Sequence, residues 1–91
     1  MYQVYRTNKF EKDLKKVKSS KDFNPHKLQE VIDILESGTA IDSRYKNHKL
    51  HGDLSDTYDL HVQNDLILLY EKDEEIRLIA LMRLGSHSEL F

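Results

Sequence analysis

Residues 57–85 read TYDLHVQNDLILLYEKDEEIRLIALMRLG and hold three strand signals separated by two turns. Thr57 to Val62 alternates: Tyr58, Leu60 and Val62 point one way, and Thr57, Asp59 and His61 point the other. Gln63-Asn64 supplies a tight turn. Leu66 to Tyr70 is a continuous apolar run, the pattern of a strand buried on both faces. Asp73 to Glu75 makes a second turn, and Ile76 to Leu84 reads as the last strand, with Arg77 and Arg83 on one face. Short connections between successive strands predict an antiparallel meander.

Upstream the period changes. Tyr2 to Tyr5 alternates and is rich in strand formers, so it reads as a short first strand. Phe10, Leu14 and Val17 form one stripe of a helix running from about Asn8 to Ser19, with Thr7 or Asn8 as cap and Glu11 completing a loose capping box. Asn24-Pro25 places a capping side chain before a proline at the first helical position. Leu28, Val31, Ile32 and Leu35 then make an apolar face, and Gly38 stops this second helix. Residues 39–56 are turn-rich without a period. The order is β-α-α-β-β-β, an α+β fold with two N-terminal helices on one face of a mainly antiparallel four-stranded sheet. The other face stays partly open and carries Asp59, His61 and Arg83.

With 91 residues, 38% hydrophobic and 33% charged, residues 1–91 are expected to form a single, modestly stable domain. The absence of cysteine excludes a disulfide framework and thiol chemistry, which suits the cytoplasm. The start, MYQVYRTNKF, lacks a signal-peptide run, and the longest apolar runs are far too short to span a bilayer. A net charge of -2 conceals an asymmetry: residues 1–21 hold most of their charge as Lys and Arg, while the rest of the chain is acidic. Lys12, Lys15, Lys16 and Lys18 would meet phosphates or an acidic partner segment that folds on binding, or form a solvated helix face.

The five histidines admit three readings. His48-x-x-His51, with His61 or His87, supplies nitrogen ligands, but the spacing matches no structural zinc pattern. Each histidine is also an ordinary surface residue when taken singly, and His26 is read so. The third reading is acid–base cleavage of RNA, which needs a base for the 2′-hydroxyl, an acid for the leaving 5′-oxygen and a cation for the phosphoryl charge. Histidine titrates near neutrality and serves either role. His61, His87 and Arg83 have this chemistry, Asp65 or Asp59 can orient an imidazole, and Phe91, in the closing GSHSELF, offers a face to an unstacked base.

The segment from His48 to Phe91 resembles the RelE/ParE superfamily of toxin–antitoxin toxins, and its YafQ branch most closely. The branch pattern is matched in register by His48, Leu50, Gly52, His61, Asp65, Tyr70, Arg83, Gly85, His87, Leu90 and Phe91. The strand, Lys-rich helix and second helix of the N-terminal half extend the likeness along nearly the whole chain. The resemblance implies a microbial-ribonuclease-like shape with a curved sheet, cleavage of mRNA in the ribosomal A site without a cofactor, and silencing by a cognate antitoxin whose complex binds operator DNA. It implies catalytic roles for His48, His61, Asp65, His87 and Phe91. His87 would be the general acid, His61 or His48 the base, Asp65 the group that orients an imidazole, and Phe91 the group that positions a base. Arg83, Lys46, Lys49 and Asp59 would line the RNA. Two departures from the pattern are visible: an arginine expected before the strand histidine is absent from Asp56-Thr57-Tyr58, and Leu66 stands where tryptophan is common. The same superfamily contains gyrase-inhibiting members, which lack this histidine set, and a binding-only fold-mate is the further alternative.

Overall fold

A computed structural model of the chain describes residues 1–50 and 56–91; His51 and Gly52, named above, lie outside the described residues. The elements are β1 (Gln3–Arg6), α1 (Asn8–Val17), α2 (Pro25–Ser37), a 3-10 turn (Ser43–Tyr45), β2 (His48–Lys49), β3 (Thr57–Gln63), β4 (Leu66–Asp73), β5 (Leu78–Gly85) and α3 (His87–Leu90). Among the described residues the sheet has five strands, in the order β1-β5-β4-β3-β2. β2 to β5 form the antiparallel meander, and β1 joins β5 in parallel. The fifth strand is β2, two residues in the stretch that has no sequence period; pairing with β3, not periodicity, makes it a strand.

The helices begin and end where side chains satisfy their free backbone groups. Thr7 caps α1 by accepting from the Phe10 N–H at 3.2 Å; Glu11 pairs instead with Arg6, so the expected capping box is not formed. Asn24 caps α2 by accepting from His26 and Lys27. Gly38 ends α2 at φ 74°, and a Cβ there would lie 3.1 Å from the Tyr2 ring. Glycine alone combines that dihedral with that approach.

Phe10 and Leu14 of α1 and Leu28, Val31 and Leu35 of α2 pack onto Leu60, Val62, Leu68, Tyr70, Ile79, Leu81 and Leu84 of the sheet. Leu66 to Tyr70 is buried throughout, as the apolar run predicts. Two boundaries move. Gln63 belongs to β3, and the turn falls on Asn64-Asp65 with Asp65 at φ 50°. β5 begins at Leu78, because Arg77 sits in the preceding turn at φ 54° with its guanidinium over the Tyr2 ring. Arg77 and Arg83 therefore do not share a strand face.

The register explains how Arg83 leaves the core side. Leu69 pairs with Arg83, but Tyr70 pairs with Leu81, so Met82 is a β-bulge. The extra residue reverses the alternation: Ile79 and Leu81 face the helices before it, and Leu84 does so after it. Without the bulge, Arg83 would point into the core.

Replacing Asn24 with Ala removes the α2 cap and is expected to cost about 1 kcal/mol. Leu68→Ala, in the middle of the core, is expected to cost about 2–5 kcal/mol. Urea unfolding of both variants checks the ranking.

Candidate active site

The sheet face away from the helices is organised as rows that cross the strands. Pairing of His48 with Asp59, Asp59 with Leu69, and Leu69 with Arg83 sets these four residues in one row. The next row runs His61, Ile67, Gly85. Strands lie about 4.8 Å apart, so the His61 and Gly85 backbones are about 10 Å apart across Ile67. His87 follows Gly85 by two residues, and the chain turns there into α3.

α3 is assembled from local contacts. Ser86 caps it by accepting from the Glu89 N–H, and the Glu89 carboxylate accepts from the Ser86 N–H at 2.9 Å, a reciprocal capping box. The signature Ser86-x-x-Glu89 stands in the sequence, and it marks the last residues as an ordered turn. The His87 N–H donates to Asp65 Oδ1 at 3.2 Å. The His87 and Phe91 rings, four residues apart, meet with centroids 5.0 Å apart and planes tilted by 37°. Phe91 does not fold into the core; it stays 53% exposed.

Asp65 is thus next to His87, but it holds the backbone of that residue and not its imidazole. A different carboxylate faces an imidazole. His48 Nδ1 lies 3.6 Å from Asp59 Oδ1, with His48 exposed and Asp59 largely covered. That Asp59 oxygen is buried and has no hydrogen-bond partner among the described residues. A buried carboxylate oxygen left unpaired is costly, which favours closer approach of the imidazole.

The basic residues divide. Arg83 donates through Nε to Asp13 Oδ2 at 2.7 Å and through a terminal nitrogen to Asp13 Oδ1, so its charge is already countered by α1. Pairing of Arg83 with an acid across the sheet is an expectation open to any strand arginine; the acid found is Asp13 of α1, which nothing in the spacing of the two residues announces. Lys49 pairs with Tyr58 in register and reaches over its ring, on the helix-covered face, and so stands away from the row of His48 and Asp59. Lys46 shares a cleft of about 410 Å³ with His61, Asp65, Lys27 and Arg44. A neighbouring cleft of about 620 Å³ is lined by Asp13, Lys16, Asp65, Arg83 and Glu89. Tyr70 stacks on Tyr58 and donates to Asn47, and burial pushes its phenol up, so it stays a neutral donor. His26 lies on the exposed surface of α2.

Lys16 and Glu89 form an ion pair at 2.8 Å. The Lys16 ammonium, and then the Ser86 donors, hold the Glu89 carboxyl at about 2, against 4.5 for a free side chain. A depressed folded-state value means that ionised Glu89 supports α3 fully above pH 4.5 and that the support is lost as the pH falls through about 2. An NMR titration should show the Glu89 carboxyl titrating near that value and the Phe91 ring resonances changing with it.

The family model described as "Bacterial toxin of type II toxin-antitoxin system, YafQ" matches residues 2–91. The "mRNA interferase toxin YafQ" of Escherichia coli (strain K12) is 33% identical over 87 residues, covering 93% of this chain and 90% of the relative. Among solved structures, a metal-bound toxin from Helicobacter pylori superposes with a TM-score of 0.89 at 36% identity, with both chains covered in full. The toxin in the E. coli DinJ-YafQ complex gives a TM-score of 0.87 at 26% identity, covering 100% of this chain and 99% of that one. The family model spans nearly the whole chain, the relative is matched over most of its length and the solved toxins share the fold, so this protein belongs to the YafQ family of type II toxin–antitoxin toxins.

Proposed function

We propose that residues 1–91 act as one toxin domain, an endoribonuclease that cleaves mRNA at the ribosomal A site and is neutralised by an antitoxin protein. The observation that carries the reading is the His87–Phe91 ring pair, held on an exposed turn beside the row that contains His61. An imidazole next to an aromatic face suits a scissile phosphate whose neighbouring base has been unstacked. The names and complexes of the relatives support the same reading: an mRNA interferase by name, and a toxin solved with its antitoxin.

In this mechanism a neutral imidazole, His61 or His48, takes the proton of the 2′-hydroxyl. The 2′-oxygen attacks phosphorus and the bond to the 5′-oxygen breaks. His87, protonated, gives its proton to that oxygen, leaving a cyclic phosphate and a free 5′-hydroxyl. Asp59, with its buried oxygen 3.6 Å from His48 Nδ1, would orient that imidazole, and Asp65 would keep His87 in place through its backbone. Arg83 and Lys46 would steady the phosphoryl charge; Arg83 retains N–H donors beyond those given to Asp13. Phe91 would stack on a base. Lys49, on the other face, would meet RNA only beyond the scissile step.

The basic face of α1, with Lys12, Lys15 and Lys18 exposed, would receive an acidic antitoxin segment or ribosomal RNA. Among the described residues no helix is long and apolar enough to cross a membrane. The site of action would be the cytoplasm, where ribosomes translate, and the toxin–antitoxin complex would bind operator DNA.

A reconstituted translation assay tests the proposal. The intact chain should cut ribosome-bound mRNA, and His87→Ala and His61→Ala should each lose about 10²–10⁴ in rate. Full cleavage by both variants would remove these assignments, and no cleavage by the intact chain would favour the gyrase-inhibiting or binding-only alternative.

A further inference from the structure

α3 has four residues and none is buried. A helix this short does not persist in water without outside support. It nevertheless carries the His87–Phe91 ring pair, so the position of that pair depends on whatever fixes the turn.

Most of the fixing contacts converge on one carboxylate. Glu89 Oε1 accepts from the Ser86 N–H and the Ser86 hydroxyl, each at 2.9 Å. Glu89 Oε2 accepts from Lys16 Nζ at 2.8 Å. Lys16 lies on α1, so the group that closes the start of α3 also ties it to the body of the protein. The backbone beneath is shaped for this: a Cβ at Gly85 would lie 3.1 Å from Glu89 Oε1. Only glycine leaves the carboxylate room to reach Ser86 without displacement.

Glu89 is separated from the chemistry by geometry. Residues two apart on a helix point about 200° apart, while residues four apart share a face. Glu89 therefore faces α1 while His87 and Phe91 stand together on another side. Asp65 supplies the second anchor through the His87 N–H, and Arg83 and Asp13 border the same cleft.

We propose that Glu89 is a positioning residue for His87: its carboxylate locks the turn from Ser86 to Phe91 onto α1, so that the imidazole and the Phe91 ring present a single arrangement to RNA. The proposal rests on His87 acting in cleavage, as argued above, but the placement of its ring is measurable without cleavage. Glu89 itself would not touch the substrate.

The experiment compares the full-length chain with Glu89→Ala, Glu89→Gln and Lys16→Met. Two readouts are taken: kcat and KM for cleavage of ribosome-bound mRNA, and the NMR resonances of the His87 imidazole and Phe91 ring in the free protein. Glu89→Ala should lower kcat by about 10- to 100-fold with KM held within about twofold, since a misplacement of about 1 Å costs up to about 10²-fold. Its His87 and Phe91 resonances should move towards free-chain values while the core methyl resonances stay. Glu89→Gln keeps a side chain that also closes capping boxes, and should recover most of the rate and the ring resonances. Lys16→Met, which cuts the tie to α1 and leaves the capping box, should move the His87 and Phe91 resonances in the same direction as Glu89→Ala but by less, with a loss in kcat of about 3- to 10-fold; unmoved resonances in this variant would overturn the anchoring to α1. Unchanged ring resonances in Glu89→Ala would overturn the proposal, whatever happens to kcat. Displaced ring resonances in a chain whose wild type does not cleave would leave the positioning role standing and remove the ribonuclease reading instead.

Discussion

The free edge of β5 beyond Leu81 is the constraint on which the rest of the structure depends. β1 pairs with β5 only from Gln3 to Arg6, and past that point β5 would offer bare backbone groups to whatever lies alongside. α1 supplies the substitutes. The Thr7 hydroxyl donates to the Leu81 carbonyl at 2.8 Å while the same oxygen caps the helix, and Asp13 accepts from the Leu84 N–H at 2.9 Å. One helix face thus completes the hydrogen bonding of a strand edge, as buried backbone groups require. Because α1 is fixed there, Lys16 is in reach of Glu89 and Asp13 in reach of Arg83.

The bulge at Met82 turns this edge into a site. Bulges of this kind re-aim side chains near functional surfaces. Here Leu84 goes inward to cover Phe10 and Leu14, Arg83 goes to the other face, and Gly85 lands in the row of His61. The core and the polar face are therefore products of one irregularity. The two faces also differ in how they hold position: the helix side by close packing of large apolar groups, the other side by hydrogen bonds and ion pairs around the buried Ile67 and Leu69. Exposed pairs contribute little stability singly. The effect of two contacts is geometric: Lys16 ties α1 to Glu89, and Asp65 ties the β3–β4 turn to the His87 N–H, so both hold the turn that bears His87.

Two carboxylates illustrate how identical chemistry acquires different tasks. Asp65, at a positive φ in the β3–β4 turn, is aimed at a backbone N–H of α3. Asp59, in the middle of a strand row, has one oxygen buried and turned towards an imidazole. The residue type was the same in both cases; the turn geometry of one and the pleat of the other set the partner.

Much of this was already present in the order of the residues. The alternation from Thr57 to Val62, the apolar run from Leu66 to Tyr70, the Asn24-Pro25 cap and the Gly38 stop determined the elements, because each is a local preference of backbone or side chain. The pattern of His48, His61, Asp65, His87 and Phe91 pointed to the family for the same reason, as identity and spacing survive without coordinates. The capping box of Ser86 and Glu89 was equally local, although it becomes meaningful only with Lys16 beside it. What tertiary structure alone decided was long-range: β1 beside β5, β2 as a strand, the Met82 bulge, Arg83 with Asp13, and Lys49 on the face opposite His48. None of these follows from periodicity, since each depends on which backbone groups remain unpaired once the sheet has closed around its core.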